Sequence, residues 1–269
     1  MEDPGHQPSL APVLGSVRHL GRLQRRVKLA MKHGWRLPTR IDADEWLDQG
    51  AGTPEAVEQS LADLHRINRW LGGLQSFTSY LYPRLRNSHT GLISVLDLGA
   101  GGCTIPIALA KWARVERLPL RVVALDKRYP HLQWAQRSLR NWPEISLVQA
   151  DAISPPFAEG AVDIVISSLF LHHFSERELT ELLPRWAHLA RRSLVMSDLV
   201  RHPLPYWFMK AASPIFARSP ITRHDAAVSI RRAYRPRELH AILRQAGVHD
   251  AKIFTHFPYR MTLVIDHPG

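Results

Sequence analysis

Five short apolar runs punctuate the middle of this chain: Ile93 to Leu98, Arg121 to Leu125, Ile145 to Val148, Val162 to Ser167 and Ser193 to Met196. Helical stretches lie between them, at Ile105 to Val115, His131 to Leu139 and Glu176 to Ala190, the last opened by the capping-box sequence Ser175-Glu176-Arg177-Glu178. Continuous apolar strands alternating with helices require a sheet buried on both faces, so the chain is expected to be α/β, with a doubly wound, mostly parallel sheet. Ligands of such sheets bind at the carboxyl ends of the strands, and the residues that end each run are the first candidates for function.

The flanks read differently. Thr53-Pro54-Glu55 combines an N-cap, a first-turn Pro and an acid favourable to the helix dipole, which predicts a helix running to Leu71 and stopping at Gly72-Gly73. Asn68 interrupts its apolar stripe of Val57, Leu61, Leu64 and Leu71, and must either join a structural network or contact a ligand. A second helix is expected over Gln75 to Leu85, making residues 41–90 an N-terminal helical segment covering the site and 91–269 the sheet domain. After Asp198 the alternation breaks at Pro203-Leu204-Pro205-Tyr206-Trp207-Phe208-Met209, which predicts a helical cap inserted over about residues 200–235. Its aromatic residues, with Phe216, either form a lid over an apolar acceptor or seat the cap on the sheet. A helix opened by Arg235-Pro236 and ended by Gly247 follows, then two strands at 251–254 and 261–265.

Charge divides the chain in the same places: residues 1–40 carry +6, residues 41–200 carry −2 and residues 201–269 carry +7. The opening segment reads as a mobile basic arm, with a short helix expected over Ser16 to Lys32. Basic ends attract nucleic acid or an anionic membrane surface, or simply keep a surface solvated. With 45% apolar residues the chain can build a core, so a disordered or collagen-like chain is excluded. No apolar run reaches the roughly 18 residues of a membrane span, and no secretory leader is evident. The lone Cys103 rules out an internal disulfide, a C-x-x-C pair and an all-cysteine zinc site, so a cytoplasmic protein is expected.

Three strand ends carry chemistry. Val95-Leu96-Asp97-Leu98-Gly99-Ala100-Gly101-Gly102-Cys103 runs a strand into a glycine turn, where a ligand can approach the backbone. A dinucleotide fingerprint needs Gly at 104, where Thr stands, and Asp97 would repel a pyrophosphate but hold an ammonium. Asp126 ends the next strand, where a carboxylate can accept both hydroxyls of a ribose; Asp151 ends the third, where an acid can accept the amine of adenine.

With these residues in order, residues 93 to 200 resemble the class I S-adenosylmethionine-dependent methyltransferases, particularly the small-molecule enzymes similar to those of ubiquinone and menaquinone biosynthesis. The resemblance rests on the D-x-G-x-G turn, Asp126, Asp151-Ala152, Pro156-Phe157 before Val162-Asp163-Ile164-Val165, and Leu171-His172-His173-Phe174. It implies a Rossmann-like sheet and S-adenosyl-L-methionine as cofactor. Asp97, Gly99 and Gly101 would hold its methionine end, Asp126 its ribose, and Asp151 with Ala152 its adenine; Ala100, Lys127 and Ser168 complete the expected contacts. Asp63 to Gly73 and Thr222-Arg223-His224-Asp225 look like segments of a bacterial subgroup associated with phenolic polyketide pathways. Cys103 departs from the pattern, standing where the family's third Gly usually does.

Exclusions narrow the acceptor. Ser154-Pro155-Pro156-Phe157 precedes the fourth strand instead of following it, so it is read as a loop and base N-methylation is disfavoured. The only Cys sits in the cofactor turn, which excludes a covalent cysteine adduct for pyrimidine methylation. No metal is expected, because His172-His173 are adjacent and no ligand clusters have finger spacing. His172 or His173, after the fourth strand, and His224 are the candidate bases; Asn68, Asp198, Arg223 and Asp225 are the candidate acceptor contacts. Histidines there can equally shape a pocket, and Arg223 to Asp225 can equally form a surface turn. O-methylation of a small phenolic or polyketide-type, aromatic or lipid-like acceptor is the expectation. Its rivals are C-methylation of a quinone-like ring, RNA methylation through the basic ends, and a non-catalytic cofactor-binding subunit.

Overall fold

The computed structural model describes residues 39–70, 72–86 and 91–267. The expected basic helix at Ser16 to Lys32 lies outside these residues.

The predicted strands and helices form where their sequences favour them: β1 (Ile93–Leu98), α4 (Thr104–Glu116), β2 (Leu120–Asp126), α5 (Tyr129–Ser138), β3 (Ile145–Gln149), β4 (Val162–Ser168), α6 (Glu176–His188) and β5 (Ala190–Leu199). Ser175 and Glu178 close the capping box at the start of α6. Ahead of them stand α1 (Trp46–Gln49), α2 (Pro54–Trp70) and α3 (Gly73–Arg86); after them come α7 (Pro203–Phe216), α8 (Pro220–Arg232), α9 (Pro236–Gln245), β6 (Lys252–His256) and β7 (Arg260–Asp266). Sequence periodicity did not reveal α1, which is too short to show a period.

The strands lie in the order β3-β2-β1-β4-β5-β7-β6. The first five are parallel, and β7 pairs antiparallel with both β5 and β6. Side chains alternate between the two faces along each strand. Val95, Ile164 and Val195 pack with Phe77, Leu81 and Leu109 on one face, while Leu96, Val165 and Leu194 pack with Leu183, Trp186 and Leu239 on the other. The chain runs outward through β1, β2 and β3, then returns to place β4 beside β1. Between β1 and β4 lies the crevice where sheets of this kind bind ligands.

Two buried carboxylates tie the N-terminal helices to α8. Asp63 of α2 accepts the N–H groups of Arg218 and Ser219 at 2.7 and 2.9 Å, and Asp225 of α8 accepts those of Trp46 and Leu47 at 2.9 and 3.0 Å. Each satisfies amides that a helix start leaves without partners. Leu47, Leu61 and Ile221 fill the space between. No helix among the described residues is long and apolar enough to cross a membrane.

Candidate active site

A cavity of about 920 Å³ opens at the carboxyl edge of the sheet, near the upper end of the ~300–1,000 Å³ typical of ligand sites. Strand ends form its floor; α2, α7, α8 and the turn before β7 form its walls and roof. The nine residues expected at the cofactor, Asp97, Gly99, Ala100, Gly101, Asp126, Lys127, Asp151, Ala152 and Ser168, all border it.

The glycine turn explains its own composition. Gly99 has φ +71°, and a Cβ there would stand 2.6 Å from the Phe170 ring. Gly101 has φ +50°, and its Cβ would meet nothing within 4 Å, so open space lies beside this backbone. A Cβ on Gly102 would strike Trp134 at 2.4 Å. Cys103 keeps a left-handed φ of 57° with a buried side chain packed among β1, β2 and α4; burial pushes its thiol pKa up, consistent with a packing role. Asp126 braces the turn, accepting the N–H groups of Gly101 and Arg128, both at 2.8 Å.

Asp97 is different. Its carboxyl is buried with no hydrogen-bond donor among the described residues, and burial, then the Asp126 charge, push its pKa well above the usual carboxylate range. Such a group is relieved by a cation. The Ser168 hydroxyl across the crevice is also buried without a partner. On the outer rim Lys127 pairs with exposed Asp151 at 3.2 Å, and the Ala152 carbonyl accepts the Trp186 indole N–H at 2.7 Å.

Residues 95–193 match the family model described as a methyltransferase domain. That segment is a methyltransferase domain. A malonyl-[acyl-carrier protein] O-methyltransferase from Xylella fastidiosa (strain M23) is 36% identical over 78 residues, 29% of this chain and 25% of that protein, so the match spans about a quarter of that relative. An S-adenosylmethionine-dependent methyltransferase from Aquifex aeolicus superposes with a TM-score of 0.52 at 17% identity, over 79% of this chain and 97% of that one. Human N-acetylserotonin methyltransferase gives 0.58 at 14% identity, over 94% and 67%. At these identities the two structures establish a shared fold. S-adenosylmethionine is the cofactor of this methyltransferase class, and the strand ends suit it: an unpaired carboxylate for an ammonium, open space beside Gly101, and an orphan hydroxyl at Ser168.

The other end of the cavity revises the sequence reading. Asn68 borders the cavity and accepts a hydrogen bond at 2.9 Å from Arg260, a residue the sequence reading passed over. The Arg260 guanidinium is buried, its Nη1 has no partner, and burial lowers its pKa to about 10 despite the charge of Asp198. His172 also borders the cavity, but a carboxylate stands at each ring nitrogen: Asp198 2.7 Å from Nδ1 and Glu45 3.3 Å from Nε2. Burial alone would lower its pKa; Asp198 and then Glu45 outweigh burial and raise it to about 10. A histidine held protonated is a poor base, which corrects the expectation for His172.

Asp198 does not border the cavity; it accepts the His172 N–H at 3.0 Å and holds that ring from behind. Arg223, His224 and Asp225 do not border it either. On α8 the cavity face is Thr222, Ala226, Ser229 and Ile230, and helical phase turns the three predicted residues away. Arg223 donates to the Ala217 carbonyl, His224 stacks on Trp46 with centroids 3.9 Å apart, and Asp225 caps α1. Of the aromatic cap, Phe208 reaches the cavity beside Met209, while Tyr206 and Trp207 pack edge to face on each other. Glu45, Asp48 and His173 complete this end. No local pattern marks Glu45 and Asp48 as partners of histidines more than a hundred positions away.

Proposed function

We propose that this protein transfers the methyl group of S-adenosylmethionine to an oxygen of a small apolar or aromatic acceptor bearing an acidic hydroxyl, of phenolic or polyketide type. The observation that carries the reading is the two-ended cavity. One end presents Asp97, the glycine turn and Asp126; the other presents Phe208, Met209, Leu204 and Pro205 beside a buried, incompletely paired arginine. The local likeness to an O-methyltransferase favours oxygen as the methylated atom.

When bound, S-adenosylmethionine supplies a methyl group already activated by its sulfonium, so the protein's task is chiefly to position the acceptor. Asp97 would take the ammonium, the Gly101 backbone the methionine end, Asp126 the ribose hydroxyls, and Asp151 with Ala152 the adenine. Lys127 and Ser168 would make the neighbouring contacts. On the acceptor side, the apolar wall of α7 holds the ring and Arg260, oriented by Asn68, stabilises a developing phenolate. The hydroxyl proton leaves at the rim formed by Glu45, Asp48 and His173, since His172 already has a carboxylate at each nitrogen. A buried lone cysteine suits a reducing compartment, and we assign the enzyme to the cytoplasm.

Incubation of the full chain with methyl-labelled S-adenosylmethionine and separate phenolic, quinone and RNA pools tests the reading. Label on a phenolic oxygen is the expected result. Label on a ring carbon, label confined to RNA, or no cofactor binding by calorimetry would each overturn it.

A further inference from the structure

We propose that Glu45, His172 and His173 form a site for one divalent transition-metal ion at the acceptor end of the cavity, with Asp198 and Asp48 orienting the two imidazoles. The donor atoms of the three residues all lie within 4.8 Å of one another. Each ring has an aspartate at Nδ1: Asp198 at 2.7 Å from His172 and Asp48 at 2.7 Å from His173. A carboxylate at that nitrogen holds the proton there and leaves Nε2 as the ligand atom, as in histidines that bind metals.

Nε2 of His172 then faces Glu45 Oε1 at 3.3 Å. Ligand bonds of ~2.0–2.2 Å set neighbouring donors of one ion about 3–3.5 Å apart. A divalent ion there would take the place of the Nε2 proton that otherwise joins the imidazolium to Glu45. A divalent ion also offsets the excess of three carboxylates over two imidazoles. The residues are held in place from outside the cluster. Arg232 donates to the carbonyls of His172 and His173 at 3.1 and 2.7 Å, Arg40 to that of Phe174 at 2.7 Å, and Ser229 to Glu45 Oε1 at 2.7 Å.

Two imidazoles with a carboxylate suit Zn²⁺, Fe²⁺, Mn²⁺ or Co²⁺ better than Mg²⁺ or Ca²⁺. All three ligand residues border the cavity, so the coordination positions the protein leaves open face the acceptor. The site's use rests on the O-methylation reading. An acceptor hydroxyl in an open position would lose its proton near neutral pH, the proton passing to solvent beside the half-exposed Asp48. That oxygen then bonds to the methyl carbon as the carbon–sulfur bond breaks, and the electron pair stays on sulfur.

The test uses the full chain without a polyhistidine tag, stripped by chelator and titrated with Co²⁺. Visible d–d absorption saturating at one equivalent is expected, with affinity falling at least about tenfold in Glu45→Gln and His173→Asn, and about 10–100-fold in Asp48→Asn. Absence of stoichiometric binding, or equal affinity in parent and variants, would overturn the site. Because His172 is buried and its loss could prevent folding, the variants avoid it, and circular dichroism checks each one. A stripped protein that methylates its acceptor at the full rate would overturn the metal's use while leaving the methyltransferase reading intact. A metal-loaded protein that methylates no phenol would do the reverse.

Discussion

The end of the cavity proposed for the cofactor takes its residues from positions 97 to 168, at or just past the ends of consecutive parallel strands, whereas the end proposed for the acceptor combines positions 45 to 68, the His172-His173 turn and positions 199 to 260. At the first end, geometry follows from local sequence: a strand ends, a glycine turns the chain, and the side chain before the turn faces the crevice. At the second end no residue's role follows from its neighbours. Asp225 shows this directly. In sequence it stands beside Arg223 and His224 like part of a polar site, yet its carboxylate caps a helix that begins 179 positions earlier. The end proposed for the cofactor is thus specified by the sheet, and the end proposed for the acceptor by how two helical segments dock onto it.

The largest expected effect tests the first half of this contrast. Asp97→Asn should weaken cofactor binding by about 10–150-fold, the worth of a lost charge-assisted hydrogen bond of ~1.5–3 kcal/mol. It should also raise the melting temperature of the cofactor-free protein, because it removes a buried carboxylate without a donor. Calorimetry and thermal unfolding should therefore move in opposite directions, and a loss in both would make Asp97 structural. Next, Arg260→Met should raise the acceptor's KM by roughly 10–100-fold through the lost charged contact and leave cofactor affinity unchanged. Weakened cofactor binding in that variant would erase the division between the two ends.

Asp225→Ala should destabilise the fold by about 1–3 kcal/mol, since it strips two amides of their acceptor. Denaturant unfolding would show this, and a change in cofactor affinity without lost stability would return Asp225 to the site. A pH series sharpens the same contrast more gently. The folded pKa of Asp97 lies above its unfolded value, so its contribution to stability is fully present below the unfolded pKa and is lost as pH rises through the folded pKa. Cofactor affinity should run the other way, falling as acid protonates the carboxylate, and Asp97→Asn should abolish that dependence. The smallest effect is expected of Arg223→Ala, which should change turnover by less than about twofold, because Arg223 is exposed and faces away from the cavity.

Much of the fold was legible because burial imposes period on sequence. The runs from Ile93 to Leu98 and Ile145 to Val148 form strands there, and Thr53-Pro54 and Ser175 begin helices where capping chemistry predicts. Asn68 was legible as an anomaly in its stripe, although its partner Arg260 was not. Glu45, Asp48 and Arg260 escaped notice because isolated charged residues carry no periodic signal. Their significance is created by distance in space.

Local rules in the chain, namely apolar runs sized for buried strands, glycines at a turn and acids at strand ends, were enough to dictate a parallel sheet and to bring the acids and glycines of its strand ends to one cavity. Docking decided the rest. α8 turned Thr222 and Ser229 inward and Arg223 to Asp225 outward, α1 brought Glu45 and Asp48 against His172 and His173, and the antiparallel β7 delivered Arg260 to the cavity edge. The reason is that backbone sterics and side-chain period act over a few residues, whereas the facing of one packed helix toward another depends on contacts between segments that the chain's order leaves far apart.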